Sequence, residues 1–250
     1  MVVIDLRDVS VRLGGRTVVD GVSATLDRGL IGILGPNGAG KSTLVRAAFG
    51  LVPATGAIAI EGDSVARTVA YLPQGGAIHW PLSVRRLVAL GRLPHVAPLA
   101  RMGWGDEAAV ARAMAAADVA HLAERDATTL SGGERARVLL ARALAAEARA
   151  LIADEPLAAL DPAHALAVMA LLRATAVGGT LVVAVLHDLA LAARFCDRIL
   201  LMDGGRLVAD GPPVTVLTAD RIAEVYGVTA WIGQVGGIAT VIPLGVAPGR

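Results

Sequence analysis

From its N-terminus the chain alternates between apolar and polar residues. Val9, Val11 and Leu13 are separated by Ser10 and Arg12, the period of a half-buried strand. Gly14-Gly15 supplies a turn, and a second strand is expected from Val18 to Leu26. Asp27-Arg28-Gly29 then leads into Leu30 to Leu34, an apolar run that reads as a buried strand. Pro53 to Gly56 is a turn, Ala57 to Ile60 a short strand, and Val69 to Leu72 another. From His79 to about Ala150 the period becomes helical. Ser83 to Leu90 reads as a helix, Gly91 to His95 breaks it, and Val96 to Gly105, with Trp104, reads as a loop. Asp106 to Leu122 follows as an amphipathic helix with Val110, Met114 and Ala117 on one face. After Leu130-Ser131-Gly132-Gly133-Glu134 an arginine-rich helix is expected to about Ala148.

Ala150 to Ala153 is too short and apolar for anything but a buried strand, and it ends on Asp154-Glu155-Pro156. Asp161 is a good N-cap and Pro162 a good first residue for a helix to Thr175, stopped by Gly178-Gly179. Leu181 to Leu186 is strand-like and ends on His187-Asp188; Leu189 to Phe195 is a short helix. Arg198 to Met202 and Arg206 to Ala209 form a hairpin. The last uncharged stretch, Val225 to Gly249, is broken by glycine and proline and reads as short strands and turns, not a spanning helix. Buried strands alternating with helices imply an α/β fold with a mainly parallel sheet.

Composition narrows this further. Hydrophobic residues make up 55% of 250 but aromatics only 3%, so the core is aliphatic. A formal charge of +1 argues against binding nucleic acid by charge alone. The single cysteine, Cys196, excludes an internal disulfide and a cysteine zinc site. The first residues carry charge and alternate like a strand, unlike a secretory signal.

The chemistry centres on Gly29 to Gly50. Gly35-Pro36-Asn37-Gly38-Ala39-Gly40-Lys41-Ser42-Thr43 sits between a strand and a helix and fits the spacing of a phosphate loop at every fixed position. Glycines let successive backbone N–H groups face an anion, and the helix beginning near Lys41 aims its open N–H groups at the same place. Lys41 supplies a mobile charge for the outer phosphates, and Ser42 a hydroxyl for Mg²⁺. Lys41 is the only lysine in the chain, every other basic residue being arginine. A compact ammonium fits such a nest where a planar guanidinium does not.

Four further places carry candidate chemistry. Gln74 follows a strand and has an amide suited to a metal ion or water; a solvated loop residue is the alternative. Ser131 and Glu134 have capping-box spacing, which leaves Gly132 and Gly133 unexplained: two poor helix formers that bare the backbone to an anion. Asp154 and Glu155 end a strand where open α/β sheets place ligands. Asp154 is suited to Mg²⁺ and Glu155 to orienting or deprotonating a water. His187 ends a neighbouring strand and could sense a γ-phosphate, or be structural; Asp161 needs no role beyond capping. His79, His95 and His121 lack partnered spacing and read as structural or surface residues.

In this order and spacing, the phosphate loop, Gln74, LSGGE, Asp154-Glu155 and His187 resemble the ATP-binding subunit of an ABC transporter, over nearly the whole chain. The resemblance implies a P-loop ATPase core at 1–76 and 150–210, with an N-terminal antiparallel β region. It also implies an inserted helical subdomain at 77–149 and a C-terminal extension at 211–250. It makes Gly35 to Thr43 the Walker A loop, Gln74 the Q-loop residue, and Leu130 to Glu134 the signature. Asp154 becomes the Walker B aspartate, Glu155 the catalytic glutamate, Asp161 a D-loop residue and His187 the switch histidine. ATP and Mg²⁺ are the implied cofactors. The implied partners are a second, head-to-tail copy that brings Ser131 and Gly133 to the γ-phosphate, integral-membrane permease subunits and, indirectly, a substrate-binding protein. The implied place is peripheral, on the cytoplasmic face of the cell membrane. Two departures stand out: Leu13 occupies the place of an adenine-stacking aromatic, and Leu157-Ala158-Ala159-Leu160-Asp161 lacks the usual D-loop serine.

Tyr71 to Gln74, His79 to Val84 and Gly91 to His95 are more narrowly similar to the ATPases of importers for iron-siderophores, haem and vitamin B12. A soluble ABC-type ATPase acting on ribosomes or DNA, an exporter ATPase and a P-loop kinase are the rival readings. The first usually carries two cassettes or a coiled-coil insertion, and a kinase has no need of LSGGE.

Overall fold

The computed structural model describes residues 2–62, 64–76, 78–97, 100–158 and 160–247. In chain order, β1 (Ile4–Leu13) and β2 (Arg16–Leu26) form the expected antiparallel hairpin. Next come β3 (Leu30–Leu34), α1 (Lys41–Ala48) and β4 (Thr55–Ile60), the last pairing antiparallel with β1. The chain continues through α2 (Val65–Thr68), β5 (Val69–Leu72), α3 (Val84–Ala89), α4 (Trp104–Ala116), α5 (Gly132–Ala145), β6 (Ala150–Asp154) and α6 (Pro162–Val177). It ends with β7 (Leu181–Val185), α7 (Leu189–Phe195), β8 (Arg198–Asp203), β9 (Arg206–Gly211), α8 (Pro213–Val216), α9 (Ala219–Tyr226), β10 (Val228–Val235) and β11 (Ile238–Val246).

Contacts divide these elements into two units, Met1–Glu61 with Leu181–Arg250, and Gly62–Thr180. In the first, β3 lies between parallel neighbours β7 and β8, and β9 closes the edge antiparallel to β8. Every residue of β3 and β7 is buried, which is why both read as unbroken apolar runs and not as alternation. The β10–β11 hairpin packs against α7 while leaving Trp231, Ile242 and Leu244 largely exposed.

In the second unit β5 and β6 pair in parallel. Helices α3, α4 and α5 share an aliphatic core built from Val84, Val88, Val110, Met114, Leu122 and Val138. Buried Arg92 ties this unit together, donating to Asp106 at 2.9 Å, to Glu147 at 3.0 Å and to the Ala145 carbonyl at 2.9 Å. The expected helix from Asp106 to Leu122 is instead α4 plus a separate 3₁₀ turn at Ala120–Leu122. Asp118 turns left-handed (φ 52°) between them, and the apolar period persists because both pieces line one core. Trp104, expected in a loop, is the first residue of α4 and is 90% exposed. The break at Gly91 to His95 is a 3₁₀ continuation of α3, and α5 stops three residues before Ala148. Among the described residues no helix is long and apolar enough to cross a membrane.

Candidate functional site

In the first unit the turn between β3 and α1 is built by glycines in conformations other residues avoid. Gly35, Gly38 and Gly40 have φ of 145°, 82° and 91°. A Cβ on Gly35 would sit 2.1 Å from the Met202 carbonyl oxygen, whereas one on Gly38 would meet nothing within 4 Å. Gly35 is therefore required by the close approach of β8, and Gly38 only by its dihedral. Gly35→Ala is expected to cost about 3 kcal/mol or more, lowering Tm by about 6–12 °C for a chain of this size. Gly38→Ala should cost about 1–2 kcal/mol, the left-handed penalty alone. Thermal melts of the two variants, with equal losses as the contrary result, check this.

Gly40 caps α1 with no side chain on the first N–H groups of the helix, so they point into the turn. Lys41 is only 5% exposed, and its Nζ donates to the carbonyls of Gly35 at 2.7 Å and Pro36 at 3.0 Å. The ammonium is thus parked on the loop's own oxygens, a few bond rotations from any anion bound at the helix end. His187 lies exposed just beyond β7 in the same unit, and Asp188 caps α7 by accepting from the Leu191 N–H at 2.8 Å.

In the second unit β6 ends on Asp154, which is wholly buried and accepts a hydrogen bond from the Tyr71 hydroxyl at 3.1 Å. The next residue, Glu155, has a φ of 52°, uncommon for a side chain of its size and typical of functional turns. Gln74 donates its amide to Glu155 Oε2 at 2.6 Å. Glu155 shares the lining of a cavity with Gly75, Gly132 and Arg135, so the turns after β5 and β6 meet the start of α5.

That start is the capping box expected from the sequence. Ser131 Oγ accepts from the Glu134 N–H at 3.3 Å, and Glu134 Oε2 accepts from the Ser131 N–H at 2.8 Å. Arg125 donates to the other oxygen of Glu134 at 3.0 Å. These bonds, the Ser131 N–H foremost, hold the Glu134 carboxyl below the usual range. A Cβ on Gly132 would meet nothing within 4 Å, and one on Gly133 only Leu160 at 3.7 Å; neither has positive φ. Unlike Gly35, Gly132 and Gly133 satisfy no demand of the described residues around them.

Asp161 caps α6, accepting from the His164 N–H at 2.9 Å and pairing with the His164 ring at 2.5 Å. The backbone bond first, and the ring second, keep its carboxyl below the usual range. Ala159 of the segment before it lies outside the described residues.

The structure therefore gathers Gln74, Asp154, Glu155 and Gly132 in the second unit, and Gly35 to Thr43 with His187 in the first. Tyr71 figured in the sequence only as part of a resemblance; its contact with Asp154, across 83 residues, was missed because no local pattern signals it. Among the described residues no group of three or more His, Cys, Asp or Glu side chains could hold a metal. Within the second unit, the Asp154 carboxylate and the Gln74 amide oxygen are hard oxygen donors of the kind that suit Mg²⁺.

The ABC transporter profile matches residues 19–158. The chain is 42% identical to the cobalamin import ATP-binding protein BtuD of Halobacterium salinarum over 96% of its length, and spans 63% of that relative. It is 47% identical over 84% of its length to the hemin import ATP-binding protein HmuV of Nocardia farcinica, spanning 76% of it. Its fold superposes at a TM-score of 0.87, with 24% identity and 98% of both chains covered, on an inward-facing transporter assigned to the metal-chelate type. By the profile match over more than half of its length, and by these relatives, the chain belongs to the ABC transporter family and carries its ATP-binding domain.

Proposed function

We propose that this chain hydrolyses ATP as one of two head-to-tail copies that drive a separate permease for a metal chelate such as haem, cobalamin or an iron-siderophore. It would work peripherally on the cytoplasmic face of the membrane, with a substrate-binding protein delivering the cargo. The observation that carries this is the bareness of Gly132 and Gly133: no atom near them and no dihedral in them demands glycine. Their N–H groups, in the first turn of α5 where no intrahelical acceptor is available, suit an anion presented from outside the chain. A γ-phosphate held by a second copy is such an anion.

In this reading the backbone of Gly35 to Thr43 wraps the phosphates, and Lys41 exchanges the carbonyls of Gly35 and Pro36 for phosphate oxygens. Ser42, Asp154 and Gln74 would hold Mg²⁺, which when bound offsets phosphate charge. Glu155 accepts a proton from the attacking water, or orients it. Gln74 pins Oε2 of Glu155 and so holds the carboxylate in place for that role. His187 faces the γ-phosphate, and Asp161 supports the joint between copies. Leu13, 43% exposed at the end of β1, offers adenine an aliphatic surface in place of an aromatic ring.

The relatives' names support import of haem or cobalamin. The test is recovery of the tagged chain from membrane extracts together with chelate uptake in a strain lacking it. Co-purification with an integral-membrane protein and loss of uptake of one chelate class are expected. Recovery with ribosomes or DNA, with uptake intact, would overturn the proposal.

A further inference from the structure

Tyr226 ends α9, far along the chain from the phosphate loop, yet its phenol reaches that loop within the first unit. The hydroxyl is buried and makes no well-formed hydrogen bond, while the backbone N–H of Gly35 lies against it. Burial pushes its pKa up to about 12, and the Gly35 N–H pulls weakly the other way. The phenol therefore stays neutral and keeps an oxygen turned toward Gly35. The same side chain lines a cavity of about 520 Å³ with His187, Asp188, Val228, Val241 and Pro243. The segment after β9 thus touches both the phosphate loop and the histidine turn.

Gly35 is flanked on both sides and held on one. Lys41 grips its carbonyl at 2.7 Å, and the Tyr226 oxygen approaches its N–H. A buried hydroxyl lacking a good partner is costly, so its persistence points to a state in which the bond closes. We propose that Tyr226 is a positioning residue: when Lys41 leaves the Gly35 carbonyl for nucleotide phosphates, the Tyr226 hydroxyl closes onto the Gly35 N–H and steadies the loaded loop. This rests on the nucleotide reading given above.

The test compares Tyr226→Phe with wild type, using Mg²⁺ and a non-hydrolysable ATP analogue for calorimetry, ATP for steady-state kinetics, and thermal melts without nucleotide. Phe keeps the ring and removes the hydroxyl. Analogue affinity is expected to fall, and KM to rise, about threefold to tenfold, with kcat unchanged, because one hydrogen bond specific to the loaded state is lost. The nucleotide-free Tm should stay level or rise, since an ill-satisfied group has gone. A purely structural tyrosine would show the opposite, a lower Tm with unchanged affinity, and that result overturns the proposal. Lys41→Ala is measured alongside. If it too binds the analogue normally, the loop reading has failed; if it loses binding while Tyr226→Phe does not, only the positioning role has.

Discussion

Replacing Glu155 by glutamine is expected to abolish turnover, by about 100-fold or more, and to leave ATP bound. The exchange preserves shape. A glutamine oxygen at position 155 can still accept the Gln74 amide now held at 2.6 Å, and the left-handed turn at φ 52° is kept. What disappears is the carboxylate able to take a proton from water. Because nucleotide is then bound but not consumed, the closed pair of chains should accumulate with ATP. Phosphate release measures the first effect and light scattering the second. Turnover within a few-fold of wild type would remove Glu155 from the chemistry and leave its strained turn without a purpose.

Lys41→Ala should weaken nucleotide binding by about 10-fold to 100-fold, the worth of charge-assisted bonds to phosphate. Arginine should not rescue it, because Lys41 lies buried in a nest shaped for an ammonium. A bulky change at Ser131, such as Ser131→Arg, should leave binding intact and stop turnover. The strongest form of the experiment mixes the two inactive chains. In a head-to-tail pair one pocket would combine both defects and the other neither. Random pairing with independent pockets should restore about a quarter of the wild-type rate. No recovery on mixing, or full activity from single chains, would end the two-copy proposal.

How much of this was legible beforehand depends on how local the cause is. The phosphate loop, the Ser131–Glu134 box and the Asp161 cap were all readable, since each is set by residues within a few positions of one another. The buried strands were readable too, because burial on both faces leaves an unbroken apolar run. The end of α4 was not: the apolar period runs past it, as a helix and a 3₁₀ turn face one core. Trp104 misled because an exposed aromatic at a helix start looks like a loop residue.

By itself, then, the sequence determined the buried strands, the capped starts of α5 and α6, and the glycine-rich turn that leads into α1. Only tertiary structure decided that Gln74 grips Glu155, that Tyr71 reaches Asp154, and that Tyr226 comes to lie against Gly35. Those pairs are 81, 83 and 191 residues apart in sequence. Dihedral preference and periodicity act over one or two turns of chain. Contacts across such separations exist only after the sheets and helices have packed, and no local pattern encodes them.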